Sequence, residues 1–159
     1  MSGTYSIDTS SLIDGWFRVY PREVFPCVWE KVEELIAQGR LWAPAGVLKE
    51  LTPPPRTNSS LYDWAKDHDE LFVEEDDEVQ AAGKSVLAMY PELIPQHSAR
   101  SLEDPFVIGL ARIRGATVVT AEKSARFKGE VHIPDVCQGL GIRSIDLVTV
   151  MKDENWRFE

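Results

Sequence analysis

Four acidic side chains, Asp8, Glu50, Asp104 and Glu122, stand where a chain could gather them for metal chemistry. Asp8 closes the short segment Tyr5-Ser6-Ile7 and opens a helix at Thr9-Ser10-Ser11, a position that equally suits an ordinary N-cap. Asp104 precedes Pro105, and an Asp-Pro pair commonly begins a helix whatever else the acid does. Glu50 lies late in a short helical run beside Leu48 and Leu51, where a solvated glutamate is the ordinary outcome. Glu122 follows the segment Ala116 to Thr120 by two residues, a place that also favours a carboxylate near a helix N-terminus.

Singly, each acid has a plain structural reading. As a set they are more informative: three fall at strand ends or helix starts, and Glu50 follows a strand by one short helix. If the first strand and the Ala116–Thr120 strand are neighbours, Asp8, Thr120 and Glu122 meet on one rim. Carboxylates gathered this way repel one another unless cations lie between them. Hard oxygen ligands favour Mg²⁺ or Mn²⁺. Two such ions, roughly 4 Å apart, would stabilise both the attacking and the leaving oxygen of a phosphodiester displacement.

The elements that must position these acids can be read in outline. Pro26 to Gln38 has Val28, Val32, Leu35 and Ile36 at helical spacing, with Gly39 where a C-terminal cap belongs. Leu41-Trp42-Ala43 reads as a second strand, followed by a short helix through Val47, Leu48 and Leu51. Pro53-Pro54-Pro55 ends helix and begins an exposed loop. A helix over Ser60 to Lys66, a strand at Leu71-Phe72-Val73 and a helix from Asp76 to Met89 follow. The spacing then predicts a helix from Pro105 to Arg114 and a strand over Ala116 to Thr120, β-branched and continuous as buried parallel strands are. A helix over Pro134 to Leu140, a strand at Arg143-Ser144-Ile145 and a tail with Asp153, Glu154 and Trp156 complete the chain. Strands alternating with helices imply α/β class, a three-layer α/β/α sandwich around a mainly parallel sheet. Sites in such sheets form beyond the carboxyl ends of the strands, where the strand order reverses.

With 159 residues the chain is expected to form a single domain over 1–159. Its 43% hydrophobic and 27% charged content fits a folded globular protein. No stretch approaches the ~20 apolar residues of a membrane helix. The start Met1-Ser2-Gly3-Thr4 carries no signal-like pattern, and Cys27 and Cys137 make no ligand-spaced pair. A cytoplasmic location with reduced thiols is the expectation. Seventeen Lys and Arg against 26 Asp and Glu give a formal charge of -9, which opposes broad nucleic-acid binding unless metal ions supply local positive charge.

Other features point less far. His68, His97 and His132 lack zinc-ligand spacing, and no glycine-rich phosphate loop occurs. The acidic run Asp67 to Glu78 reads first as a solvated face and second as a docking surface for a basic protein. Among five tryptophans, Trp29 and Trp42 sit in core-like patterns, leaving Trp16 and Trp64 as candidates to stack bases. His97, Arg100 and Lys123 are the basic residues nearest the acids; they could hold phosphate or simply occupy loops.

In order and spacing these motifs resemble the PIN-domain ribonucleases. Tyr5-Ser6-Ile7-Asp8-Thr9-Ser10-Ser11-Leu12-Ile13 resembles the family's opening, and Val47-Leu48-Lys49-Glu50-Leu51 its second motif. Glu103-Asp104-Pro105-Phe106-Val107-Ile108-Gly109-Leu110-Ala111 resembles the third, and Val118-Val119-Thr120-Ala121-Glu122 the fourth. Ile133-Pro134-Asp135-Val136-Cys137 and Asn155-Trp156-Arg157-Phe158 are similar to a PIN-like branch paired with helix-turn-helix antitoxins. The resemblance implies a Mg²⁺- or Mn²⁺-dependent endoribonuclease, the toxin of a type II toxin–antitoxin pair, with RNA as substrate, an antitoxin as partner and often a homodimer. It makes Asp8, Glu50, Asp104 and Glu122 the metal-binding acids, and Thr120 and Ser10 groups that orient a water or the acids themselves. The fourth motif departs from the family, with Glu122 in place of Asp and Lys123-Ser124-Ala125 where a second acid often stands. Asp135, at a helix start, reads as a cap. The alternative reading is a PIN-fold binding or scaffold module with little catalysis; hydrolysis of DNA flaps or small phosphates would use the same acids.

Overall fold

A computed structural model describes residues 3–95 and 101–159. Its centre is a five-stranded, all-parallel sheet in the order β3-β2-β1-β4-β5, flanked by helices in a three-layer α/β/α arrangement. The strands are β1 (Tyr5–Ile7), β2 (Leu41–Pro44), β3 (Phe72–Val73), β4 (Thr117–Val119) and β5 (Ser144–Ile145). The helices are α1 (Thr9–Asp14), α2 (Pro26–Ala37), α3 (Ala45–Glu50), α4 (Ser60–Asp67), α5 (Asp77–Met89), α6 (Asp104–Arg114), α7 (Ile133–Leu140) and α8 (Leu147–Asp153).

The order has a direct consequence. From β1 the chain crosses to β2 on one side, and much later to β4 on the other, so the sheet reverses direction at β1 and β4. The two strands pair in parallel, Tyr5 with Thr117, Ser6 with Val118 and Ile7 with Val119. Their carboxyl ends are therefore level, and the residues that follow, Asp8 and Thr120, emerge side by side. The Asp8 amide continues the ladder by donating to the Val119 carbonyl at 3.0 Å.

All three residues of β1 are buried, as a central strand covered on both faces requires. Alternation then sends them to opposite layers. Ser6 donates from Oγ to the Val107 carbonyl of α6 at 2.8 Å. Tyr5 faces the other way and donates to Glu154, past the end of α8, at 2.5 Å; Glu154 also binds the Arg40 guanidinium at 2.6 Å. Helix α6 packs on β1, β2 and β4, with α5 against it. Glycines permit that approach: a Cβ on Gly109 would lie 2.7 Å from the Gly83 backbone nitrogen.

Most of the predicted elements lie where the periodicity put them, including Gly39 just past α2 with φ of 66°. Leu147–Asp153 is a helix where the sequence suggests only a tail, opened by Asp146, whose carboxylate accepts the Thr149 amide at 2.9 Å. Helix α1 continues past Asp14 into a π-turn over Gly15–Val19, closed by the Tyr20 amide on the Gly15 carbonyl at 2.8 Å. Trp16 and Trp64, the proposed base-stacking residues, are instead only 6% and 3% exposed. Their rings pack with Trp29 and each other at centroid distances of 4.9 to 5.5 Å, so the three form a core cluster.

Cys137 is buried in α7 and Cys27 is exposed; both are free thiols. Among the described residues no helix is long and apolar enough to cross a membrane.

Candidate metal centre at the sheet reversal

Asp8 occupies the site's floor. It is 1% exposed, at the end of β1, and caps α1 through Oδ1, which accepts the Ser11 amide at 2.8 Å. Its Oδ2 accepts Ser10 Oγ at 2.8 Å and Thr120 Oγ1 at 2.6 Å. The cap and the candidate ligand are thus the same residue, with both roles met by one carboxylate. Burial pushes the Asp8 carboxyl up to about 6 against the three hydrogen bonds, and the nearby Glu122 charge adds to the rise.

Thr120, 3% exposed, links two acids. While donating to Asp8 it accepts the Glu122 amide at 3.0 Å, which fixes the turn leaving β4. Ser10 plays a similar part, since its Oγ also accepts the Ala121 amide at 3.3 Å. Glu122 accepts the Ile133 amide of α7 at 3.2 Å through Oε1.

Asp104 is the first residue of α6, behind Glu103 at the N-cap and ahead of Pro105. It is 1% exposed. One carboxylate oxygen from each of Asp8, Asp104 and Glu122 lies within 4.8 Å of the others, a group that could hold a metal ion. Three hard oxygen donors, two of them buried, suit a divalent cation better than a soft metal. A cation there would also offset the burial of the Asp8 charge.

Glu50 stands outside this three-acid group. Its Oε1 accepts Thr9 Oγ1 at 2.6 Å and Ser101 Oγ at 2.5 Å, and Oε2 accepts the Leu102 amide at 3.1 Å. It therefore ties the end of α3 to the start of α1 and to the approach to α6. Ser101 continues the chain of contacts by accepting the Glu103 amide at 3.1 Å. Two of the basic residues noted beside the acids, His97 and Arg100, lie outside the described residues.

A hollow of about 520 Å³ opens over the acids, walled by Ser10, Ser101, Asp104 and Glu122 and, on its far side, by Ile13, Asp14 and Arg18. Arg18 carries no family motif and was missed in the sequence; what places it there is the π-turn, which no residue pattern signals. A second omission is the pair Glu75 and Glu103. Glu75 accepts the Gly46 amide at 2.7 Å, so it does not belong to the solvated face assigned to the run Asp67 to Glu78. Burial first, and then the charge of Glu75, push the Glu103 carboxyl well above the usual carboxylate range. Its carboxyl group lies over the Cα of Gly46, where any side chain would collide. Asp76 does behave as a helix start, accepting the Val79 amide at 2.9 Å. Asp135 does serve the helix start, though as the third residue of α7 and not its N-cap: His132 is the N-cap, and Asp135 closes a capping box by accepting the His132 amide at 2.9 Å. Behind the site, burial and the Asp8 charge push the Cys137 thiol up to about 12, which keeps it protonated and unreactive.

The chain belongs to the family described as a domain of unknown function, DUF4411, whose model matches residues 5–158. No curated protein matches it.

Proposed function

We propose that this member of the DUF4411 family is a Mg²⁺- or Mn²⁺-dependent endoribonuclease of the PIN type. The observation that carries the reading is the convergence of Asp8, Asp104 and Glu122 at the end of the paired strands β1 and β4. That is where a parallel sheet of this order offers a site. Asp8, Asp104 and Glu122 would hold the cation, and Glu50 would brace the wall beside them. A bound divalent cation would polarise a phosphoryl oxygen and make an attacking water more acidic. The acids act as ligands and not as nucleophiles, and Thr120 keeps the Asp8 carboxylate aimed by its 2.6 Å hydrogen bond. Ser10 reaches the same oxygen at 2.8 Å and lines the hollow, which suits it to orient a water.

The resemblance noted in the sequence extends the proposal: the toxin of a type II pair, acting on RNA in the cytoplasm, held in check by an antitoxin of helix-turn-helix type and assembling as a homodimer. The second reading, a binding or scaffold module of the same fold, is favoured by one observation. Glu50 and Glu122 each accept a backbone amide, from Leu102 and Ile133, and so already serve the architecture.

The test is cleavage of a panel of tRNA and structured RNA with Mn²⁺ by the wild type, Asp8→Asn and Asp104→Asn. Metal-dependent cleavage lost in both variants supports the nuclease and its site. Equal cleavage by all three proteins would mark a contaminant. No cleavage by a folded, Mn²⁺-binding wild type would favour the scaffold reading.

A further inference from the structure

Resting on the nuclease reading, we infer that Arg18 and Lys123 flank the acid site as contacts for the phosphates of a polynucleotide that crosses it. Three hollows meet around Ala121. The first, about 520 Å³, is lined by Asp104, Glu122 and Arg18 among others. The second, about 240 Å³, is lined by both Arg18 and Lys123. The third, about 410 Å³, continues from Lys123 past Glu122 and Thr120. All three share Ala121, and Arg18 and Lys123 each line two of them, so the hollows adjoin one another beside the acids.

The two cations are placed for anionic cargo in a chain of net charge -9. Arg18 is 74% exposed, and Asp14 grips its Nε and Nη2 at 2.5 and 2.9 Å. That grip sets the plane of the guanidinium and leaves Nη1 outside the pair, so the fork is oriented before a ligand arrives. Lys123 is exposed and forms no ion pair among the described residues. Asp14 and Asp146 also line the second hollow, so a phosphate there has only Arg18 and Lys123 as cations among the lining residues.

The π-turn over Gly15–Val19 is the device that brings Arg18 to these hollows, in keeping with the frequent placement of such turns at functional sites.

The test is fluorescence anisotropy of labelled single-stranded poly(U) and poly(A) 12-mers in Ca²⁺ and in EDTA, over a salt series. The proteins are the wild type, Arg18→Gln, Arg18→Lys, Lys123→Gln and, as a control of equal charge, Lys84→Gln from the exposed face of α5. Arg18→Gln and Lys123→Gln are each expected to weaken binding about fivefold. Each should also flatten the slope of log K against log salt by about 0.7, for both sequences alike. Arg18→Lys should keep the slope and lose part of the affinity, and Lys84→Gln should match the wild type. Binding that is absent in the wild type, or unchanged in both Arg18→Gln and Lys123→Gln, would overturn the track. Mn²⁺ titration calorimetry reads the parent proposal separately: no heat, with strand binding still weakened by Arg18→Gln, would remove the metal nuclease and leave the track.

Discussion

Thr120 donates to Oδ2 of Asp8 at 2.6 Å across the paired ends of β1 and β4, joining residues 112 positions apart in the chain. The same hydroxyl accepts the Glu122 amide at 3.0 Å, so one oxygen sets the aim of one acid and the backbone of another. Thr120→Val keeps the β-branched shape but removes both bonds. Asp8 then loses one of the hydrogen bonds that oppose its rise. The expected results are a loss of about 1–3 kcal/mol in stability and an upward shift of the pH at which Mn²⁺ binds. Thr120→Ser should restore most of both. Thermal melts and calorimetry between pH 5 and 8 check this; a Thr120→Val protein with an unshifted binding profile would separate the hydroxyl from the metal centre.

Glu154 tests the opposite face of the sheet. It is bound by Arg40 and Tyr5, and the Arg40 and Glu154 side chains are only 17% and 7% exposed. Glu154→Ala leaves a guanidinium and a phenol without their common acceptor, which costs about 3–5 kcal/mol when a buried pair loses one member. The midpoint of urea unfolding should fall, while Mn²⁺ affinity of the remaining folded protein stays the same. A fall in metal affinity at a temperature well below the melt would show that the two layers are coupled.

Gly109 limits how closely α5 approaches the helix that carries Asp104. A methyl group at Gly109 meets backbone atoms of Ala82 and Gly83 at 2.9 and 2.7 Å, and backbone cannot swing aside as a side chain can. Gly109→Ala is expected to destabilise by about 1–3 kcal/mol through overpacking, outweighing the ~1 kcal/mol that alanine gains over glycine within a helix. A melt at or above that of the wild type would contradict this packing.

Asp8, Asp104, Thr120 and Glu122 were legible in the sequence because each sits at a chain position with its own local signature: a strand end, an Asp-Pro step, a β-branched run. The convergence of three acids needed only the further step that β1 and β4 are neighbours. Glu50 was legible as a residue but not in its contacts, since its partners Ser101 and Leu102 lie in a loop whose path no periodicity fixes. Arg18 was hidden because a π-turn shifts the register of α1 without any marker in Gly-Trp-Phe-Arg-Val. Trp64 was misread because six of eight residues from Ser59 to Lys66 look amphipathic or polar by type alone, and Trp16 because the ring that buries both, Trp29, comes from another helix. Leu147–Asp153 was missed because a helix of two turns offers too few repeats for a period to stand out.

Burial raises the Asp8 carboxyl to about 6 in the folded protein from an ordinary 3.8. Between those values the native state binds more protons than the unfolded one, so this residue's contribution to stability falls as pH rises. The contribution is fully present below about 3.8, is lost as pH passes about 6, and amounts to roughly 3 kcal/mol. Asp8→Asn removes the term while keeping the N-cap, since asparagine caps as well as aspartate. The difference in melting temperature between Asp8→Asn and the metal-free wild type should therefore grow in favour of the variant from pH 4 to pH 7. Mn²⁺ reverses the sign, because it binds the charged carboxylate: its stabilisation of the wild type should be small at pH 5, large at pH 7.5, and slight at either pH in Asp8→Asn. Melts of both proteins with and without Mn²⁺ across that range read all of these at once, and a wild type that gains nothing from Mn²⁺ at pH 7.5 would take Asp8 out of the metal centre.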